Sequence, residues 1–261
     1  MPLNQTSGLL VGYTGFVGSN LARQHAFADL ANSKNIEQFA NRKYDVIVCA
    51  GISGIKWWAN QNPIEDWRNI QKLLDVLRTM EARRFVLIST IDVYPDPRGG
   101  IDENSDPRHL PNHGYGQHRM QFEVFIRSQF HVHHVVRLPG LFGAGLKKNV
   151  IFDLLHDNCL EAINPSSAFQ YYDLARLWCD LNRIVASELP IVNLATEPVP
   201  TSAILSRFFA DKTVGAKASP TTSYDFRSRY AALWGGTNGY LYDAHTVLSD
   251  LARFIAAERD L

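Results

Sequence analysis

The chain has no surplus of either charge: 26 Lys and Arg stand against 26 Asp and Glu, so the formal net charge is zero. A dedicated nucleic-acid or acidic-membrane binder draws on a basic surplus, and this sequence offers none. Cysteine is scarce as well. Cys49, Cys159 and Cys179 are odd in number and widely spaced. They define neither a disulfide framework nor a zinc ribbon, and a reducing cytoplasm is the expected setting. No apolar run approaches the ~18 residues of a bilayer span. The basic start and apolar stretch of a secretory signal are missing too. Internal repeats, low-complexity tracts and long runs of like charge are absent. What the sequence does hold is core material. Of 261 residues, 46% are hydrophobic and 20% charged. That composition favours one large folded domain, or one with a small appendage, over disorder.

Short apolar runs punctuate the first half: Gly8 to Gly12, Tyr44 to Ala50, Arg84 to Ser89 and Val132 to Leu138. Runs that do not alternate belong to strands covered on both faces. Helical patterns separate them. Asn62-Pro63 opens one whose apolar stripe is Trp67, Ile70, Leu74 and Leu77. Others run from Tyr115 to Gln129, Asp173 to Ser187 and Ala244 to Glu258. Strands alternating with helices predict a Rossmann-like, doubly wound α/β fold with a mostly parallel sheet, and a ligand at the strand ends. A dinucleotide-binding domain is expected over residues 1–165. Residues 166–261 are expected to complete the sheet and form a small substrate-binding lobe.

Gly12-Tyr13-Thr14-Gly15-Phe16-Val17-Gly18 follows the first strand and opens a helix. Glycine permits a tight turn there and lets the backbone approach a pyrophosphate. The helix start, with Phe16 and Val17, adds free N–H groups and partial positive charge. This context predicts dinucleotide binding, with the spacing GxxGxxG.

That spacing resembles the extended short-chain dehydrogenase/reductase superfamily, in its NAD-dependent epimerase/dehydratase branch. Further segments match in order. Val48-Cys49-Ala50-Gly51 resembles the family's fourth strand, with Ala50 and Gly51 beside the cofactor ribose. Asn69 sits where the family has a helix Asn supporting the active site. Ser89-Thr90-Ile91-Asp92-Val93-Tyr94 is similar to the family's Ser/Thr-x-x-Val-Tyr strand end. Tyr115 to Arg119 falls on the catalytic Tyr-x-x-x-Lys. Arg137 to Gly143, including Pro139, resembles the loop covering the nicotinamide. The resemblance spans residues 8 to about 205 and implies NAD or NADP as cofactor. It also implies a possible homodimer through helices that include the tyrosine helix.

The implied chemistry moves a hydride to or from the nicotinamide while a tyrosine moves a proton. A phenol normally titrates near pH ~10, and a cation one helical turn away favours the phenolate. That cation is Arg119, where the family has Lys; Arg keeps the charge but is larger and planar. Thr90 is the expected hydroxyl that orients the substrate, with Ser89 as its alternative. Ile91 replaces the first acid of the sugar-nucleotide dehydratases, which argues against elimination and leaves epimerase and reductase open. The substrate expected is a sugar or nucleotide sugar. A non-catalytic NAD(P) sensor or scaffold is the rival reading, and the length is short for this branch.

The second strand is poorly marked, around His25 to Ala31. Asp29 is a candidate for the ribose 2′-hydroxyl, whereas Asn32, Ser33 and Lys34 suit a 2′-phosphate, so NAD and NADP stay open. His131, His133 and His134 lack companion ligands and read as surface or packed histidines rather than a metal site. Trp57 or Trp58 could wall a substrate site or simply pack. Arg227 and Arg229 could meet a diphosphate or stay solvated, and Phe169 stands where nucleotide-sugar relatives often have Arg.

Overall fold

The structure is a computed structural model in which Leu3 and residues 8–260 are described. The helices and strands, in chain order, begin with β1 (Gly8–Val11), α1 (Phe16–Gln24), β2 (Asp29–Ala31) and β3 (Lys43–Cys49). Next come α2 (Lys56–Gln61), α3 (Pro63–Leu77), β4 (Glu81–Thr90), α4 (Gly114–Gln129), β5 (His133–Leu138) and β6 (Gly140–Phe142). Then follow α5 (Val150–Leu155), β7 (Ala168–Phe169), β8 (Tyr171–Asp173), α6 (Leu177–Ala186) and β9 (Ile191–Asn193). The last are β10 (Val199–Pro200), α7 (Thr201–Phe208) and α8 (Ala244–Arg259).

The contacts divide the chain into two units that interleave along the sequence. One comprises residues 1–96, 106–137 and 175–192, and the other 97–105, 138–174 and 193–261. Strands from both sides of residue 165 therefore build the main sheet.

The first unit carries a six-stranded parallel sheet in the order β2-β1-β3-β4-β5-β9. Leu9 is in register with Asp29 on one side and Ile47 on the other, and Ile47 with Phe85. The unalternating runs are buried on both faces: Leu9, Leu10, Ile47, Val48, Phe85, Val86 and Val135 are almost wholly inaccessible. Helix α3 contributes Ile70, Leu74 and Leu77, and α4 contributes Phe122 and Ile126, to the same core. Its proline start fits the first turn, where no intrahelical N–H is needed. On the other flank, the His25 ring stacks on Trp178 of α6 with centroids 4.1 Å apart.

Two expectations shift. The second strand is only three residues long and forms the edge of the sheet. The run matched to the family's fourth strand is the third here, because residues 32–42 supply only a short 3-10 helix, Ile36–Phe39, instead of another strand.

The second unit has its own core, in which Phe142, Ile151, Leu154, Val199, Ile204, Val247 and Leu251 pack together. Two small sheets, β6 with β8 in parallel and β7 with β10 antiparallel, sit in it. Glu103 is half-buried there. Its carboxylate accepts from Ser228 Oγ at 2.6 Å and from the Asn193 and Arg229 amides at 2.7 and 2.9 Å, pinning the 97–105 excursion.

Candidate functional site

The carboxyl ends of β1, β2, β3 and β4 carry most of the candidate residues. At the end of β1 the chain turns sharply. The Gly12 N–H donates to Ala31 O at 2.7 Å and the Gly15 N–H to Gly12 O at 2.9 Å. Gly12 has φ +87°, and a Cβ there would fall 2.3 Å from Ala50 O. A Cβ on Gly18 would fall 2.1 Å from Gly12 O, so that glycine lets α1 close on the strand. Gly15 is different. It is exposed, and a Cβ would meet only Gly12 O, at 3.3 Å. Around it, the first-turn amides of Phe16, Val17 and Gly18 have no intrahelical acceptor and make the glycine turn a cradle of free N–H groups.

The neighbouring strand ends sort the remaining cofactor candidates. Ala50 is half-buried and Gly51 exposed just beyond β3. Beyond β2, Asn32 Oδ1 accepts from the Lys34 amide at 2.8 Å, while Ser33 and Lys34 are exposed. Asp29 is withdrawn from this end. It opens β2, and its carboxylate accepts from the Tyr44 hydroxyl at 2.8 Å. Pro139 is buried between β5 and β6.

Tyr115 lies in the first turn of α4. His113 caps the helix, its Nδ1 accepting from the Gly116 amide at 3.0 Å. Asn112 Nδ2 donates to the carbonyls of Asp92 and Val93 at 2.9 and 3.0 Å, tying this turn to the end of β4. Gly116 is required by the approach: a Cβ would fall 2.2 Å from Asp92 O. The buried Tyr115 is thereby held beside the end of β4, where Thr90 closes the strand.

Arg119 does not behave as the resemblance implies. It is 4% exposed and lies over the Tyr115 ring, its guanidinium carbon 3.9 Å from the ring centroid. Its two terminal nitrogens grip Asp66 of α3 at 2.5 and 3.1 Å, and one also donates to Ser53 O at 2.6 Å. His118 Nδ1 lies 2.7 Å from the same carboxylate. Asp66, 3% exposed, thus balances the cation that was expected to acidify the phenol. Burial pushes Tyr115 up, to about 12, against the pull of Arg119, with Asp92 and Asp66 also pushing upward. One donor is left over: Arg119 Nε is buried with no hydrogen-bond partner. Such an orphan costs about 1–3 kcal/mol, and a ribose hydroxyl is a suitable acceptor.

Two other expectations are corrected. Asn69 does not point inward. It is exposed and its amide oxygen faces Lys72 Nζ at 3.5 Å, because the inward stripe of α3 runs through Asp66, Ile70 and Leu74. Asp66 occupies the supporting place one turn earlier. Ser89 is not a second substrate hydroxyl. It donates to Glu123 Oε1 at 2.6 Å. Glu123, fully buried, pairs with Arg137 at 3.0 and 2.6 Å, and Arg137 also donates to the Tyr94 hydroxyl at 2.7 Å.

A residue that the sequence did not single out completes the site. Lys56, at the start of α2, pairs with Asp92 at 2.6 Å. Burial and the Lys56 charge together lower the His113 pKa, which keeps Nδ1 free to accept at neutral pH. Trp57 is 63% exposed and Trp58 half-buried. Arg227 is engaged by Asp225 and Arg229 by Asn104. His133 and His134 each face a backbone carbonyl, of Phe130 and Leu189.

The cradle and the orphan donor fit a dinucleotide: glycine backbone and helix amides for the pyrophosphate, Arg119 Nε toward a ribose. Comparison with solved structures gives the same fold. MoeE5 in complex with UDP-glucuronic acid and NAD superposes with a TM-score of 0.73 at 16% identity, covering 98% of this chain and 100% of that one. A dTDP-4-dehydrorhamnose reductase from Clostridium acetobutylicum gives 0.71 at 14% identity, covering 97% and 99%. The UDP-glucose 4-epimerase of Thermotoga maritima, solved with UDP-glucose, gives 0.69 at 13%, covering 97% and 98%. No curated protein matches the sequence. The family model for the NAD dependent epimerase/dehydratase family matches residues 24–161, more than half of the sequence, and the chain belongs to that family.

Proposed function

We propose that this chain is an NAD(P)-dependent oxidoreductase or epimerase that acts on a hydroxyl or carbonyl of a nucleotide sugar, with Tyr115 as the acid/base. The observation that carries this reading is the buried Tyr115 at the start of α4, its ring covered by the Arg119 guanidinium at 3.9 Å and its helix turn tied to the end of β4 through Asn112, on the same sheet edge as the glycine cradle. Family membership and the nucleotide sugars held by the MoeE5 and epimerase structures support the substrate class.

The cofactor, when bound, accepts or returns a hydride. Gly12, Gly15, Phe16, Val17 and Gly18 would hold its pyrophosphate, Ala50 and Gly51 would line its ribose, and Asn32 with Ser33 would meet the adenosine end. Both NAD and NADP remain compatible with a β2 end that bears no carboxylate. Thr90 orients the substrate oxygen and Tyr115 takes or gives its proton. Arg119 steadies the phenol ring and offers Nε to a ribose. Ile91 in place of an acid disfavours dehydration. A cytoplasmic homodimer is part of the proposal, paired through α3 and α4, where Ile64 is exposed beside half-buried Trp67.

Tyr115→Phe tests the assignment. Turnover of UDP-glucose, UDP-glucuronic acid or a dTDP-sugar, followed at 340 nm or by product analysis, should fall by about 10²–10⁴-fold. NAD(P) affinity should be unchanged. Wild-type turnover in that variant rejects Tyr115. A second reading, a non-catalytic dinucleotide holder, is favoured by the neutralisation of Arg119 through Asp66. It predicts NAD(P) binding with no hydride transfer in the wild type.

A further inference from the structure

The Asp66 carboxylate lies between two donors. Its Oδ2 accepts from Arg119 Nη1 at 2.5 Å and meets His118 Nδ1 at 2.7 Å, while its Oδ1 accepts from Arg119 Nη2 at 3.1 Å. A carboxylate has no hydrogen to give, so the hydrogen between Asp66 and His118 belongs to Nδ1. The His118 side chain is 12% exposed, and its ring tilts against Trp67 with centroids 5.4 Å apart.

Asp66 is not turned inward by its own helix. It stands in the first turn of α3, whose start has no side-chain cap, because Asn62 spends its amide group on Trp58 O at 3.0 Å. The positive end of α3 therefore competes for the Asp66 charge. Arg119 alone is a weak counterweight. Its side chain is long, and one terminal nitrogen is shared with Ser53 O at 2.6 Å. His118 is short, has two side-chain torsions, and rests on Trp67 of the same helix as Asp66. It fixes the oxygen that Arg119 Nη1 uses.

We propose that His118 is a positioning residue of the tyrosine site. Its Nδ1 hydrogen turns the Asp66 carboxylate inward, and the carboxylate seats the Arg119 guanidinium over the Tyr115 ring, 3.9 Å from the centroid. Two consecutive residues of α4 thus grip one acid of α3 from two sides. The buried Arg119 Nε, which has no hydrogen-bond partner, is held in place by the same grip. The value of this seat for turnover rests on the reading of Tyr115 as acid/base; the seat itself does not.

The test needs neither cofactor nor substrate. In protein labelled with nitrogen-15, the Arg119 Nε–H signal is assigned by its loss in Arg119→Lys. A hydrogen above an aromatic face resonates upfield of its ordinary position, so this signal reads the seat directly. The wild type should show the upfield shift. His118→Phe keeps a ring against Trp67 and removes the N–H, and should lose the shift. His118→Asn places an amide N–H2 where Nδ1 stands and should restore it. A role in packing alone leaves the signal of a folded His118→Phe at its wild-type position, and that result overturns the proposal. An ordinary Arg119 signal in the wild type, or a His118→Asn that behaves as His118→Phe, overturns it as well. If His118→Phe does not fold, His118→Leu removes the same hydrogen with a smaller side chain and carries the same test. Failure of the acid/base reading shows separately, as wild-type turnover in Tyr115→Phe.

Discussion

Asp66→Asn should loosen the protein and acidify the tyrosine at the same time. The side chains of Asp66 and Arg119 are 3% and 4% exposed, and two nitrogen–oxygen contacts join them. Removing one partner of such a pair leaves a buried charge uncompensated, at a cost of about 3–5 kcal/mol. Asparagine also turns an N–H2 group toward the guanidinium, or presents a single oxygen to it where two accepted before. For a chain of this size the loss corresponds to a fall on the order of 10 °C in the melting midpoint. The phenol responds in the other direction. Asp66 is one of the charges holding Tyr115 up near 12, and the cation that opposes it loses its screen. The phenol should therefore ionise at lower pH in Asp66→Asn than in the wild type. Urea denaturation followed by tryptophan fluorescence measures the first effect. Tyrosinate absorbance near 295 nm, with Tyr115→Phe as the blank in each background, measures the second. A variant within about 1 kcal/mol of wild type refutes the buried-pair argument. A phenol that titrates unchanged or higher refutes the electrostatic one. Arg119→Met with Asp66→Leu should recover most of the stability but not the acidified phenol, because the charge and its counter-charge leave together.

Two glycines separate binding from folding. Gly15→Val should change stability by no more than about 1 kcal/mol, since an added Cβ meets only one atom. Cofactor titration in that variant should show binding lost, because the cradle is filled. Gly18→Ala forces a Cβ to 2.1 Å from a carbonyl and should cost about 2 kcal/mol or more, read as a lowered denaturation midpoint. His113 predicts a pH effect. Its folded pKa lies below the unfolded value, so its share of stability is full above the unfolded value of 6.5 and is lost as pH falls through the folded one. His113→Asn keeps a good helix cap without a titrating ring, and stability measured from pH 7 to 5 should then fall less than in the wild type.

The scaffold was largely legible from local pattern. Apolar runs such as Tyr44 to Ala50 cannot be exposed, and the glycine spacing 12, 15, 18 has few other uses. The site was legible only where chemistry and sequence neighbourhood coincide. Tyr115 and Thr90 were expected in the site because each belongs to a recognisable segment, one opening α4 and the other closing β4. Asp66 was hidden because an acid near the start of α3 reads as a helix-dipole partner. The available signal was Arg119 itself, since a buried cation obliges some carboxylate to come inward. Asn69 was misplaced by one helical turn, a shift that only the packed stripe of Ile70 and Leu74 decides. Lys56 follows a loop whose path depends on the residues around it, and no periodicity governs that path. Ser89 and Thr90 are adjacent alcohols, and only the buried Glu123 tells them apart.

The interleaving of the two units bears on how the chain is made. When a ribosome has delivered residues up to 138, β5 is complete but its neighbour β9 does not yet exist. The nascent sheet ends in an open six-residue strand that exposes Val135, Val136 and Leu138, and α1 lacks the aromatic cover of Trp178. Unpaired edges of this kind invite wrong partners. The nascent sheet is therefore expected to need shielding until the segment around residue 192 emerges. Neither unit can be cut out as one continuous fragment for expression.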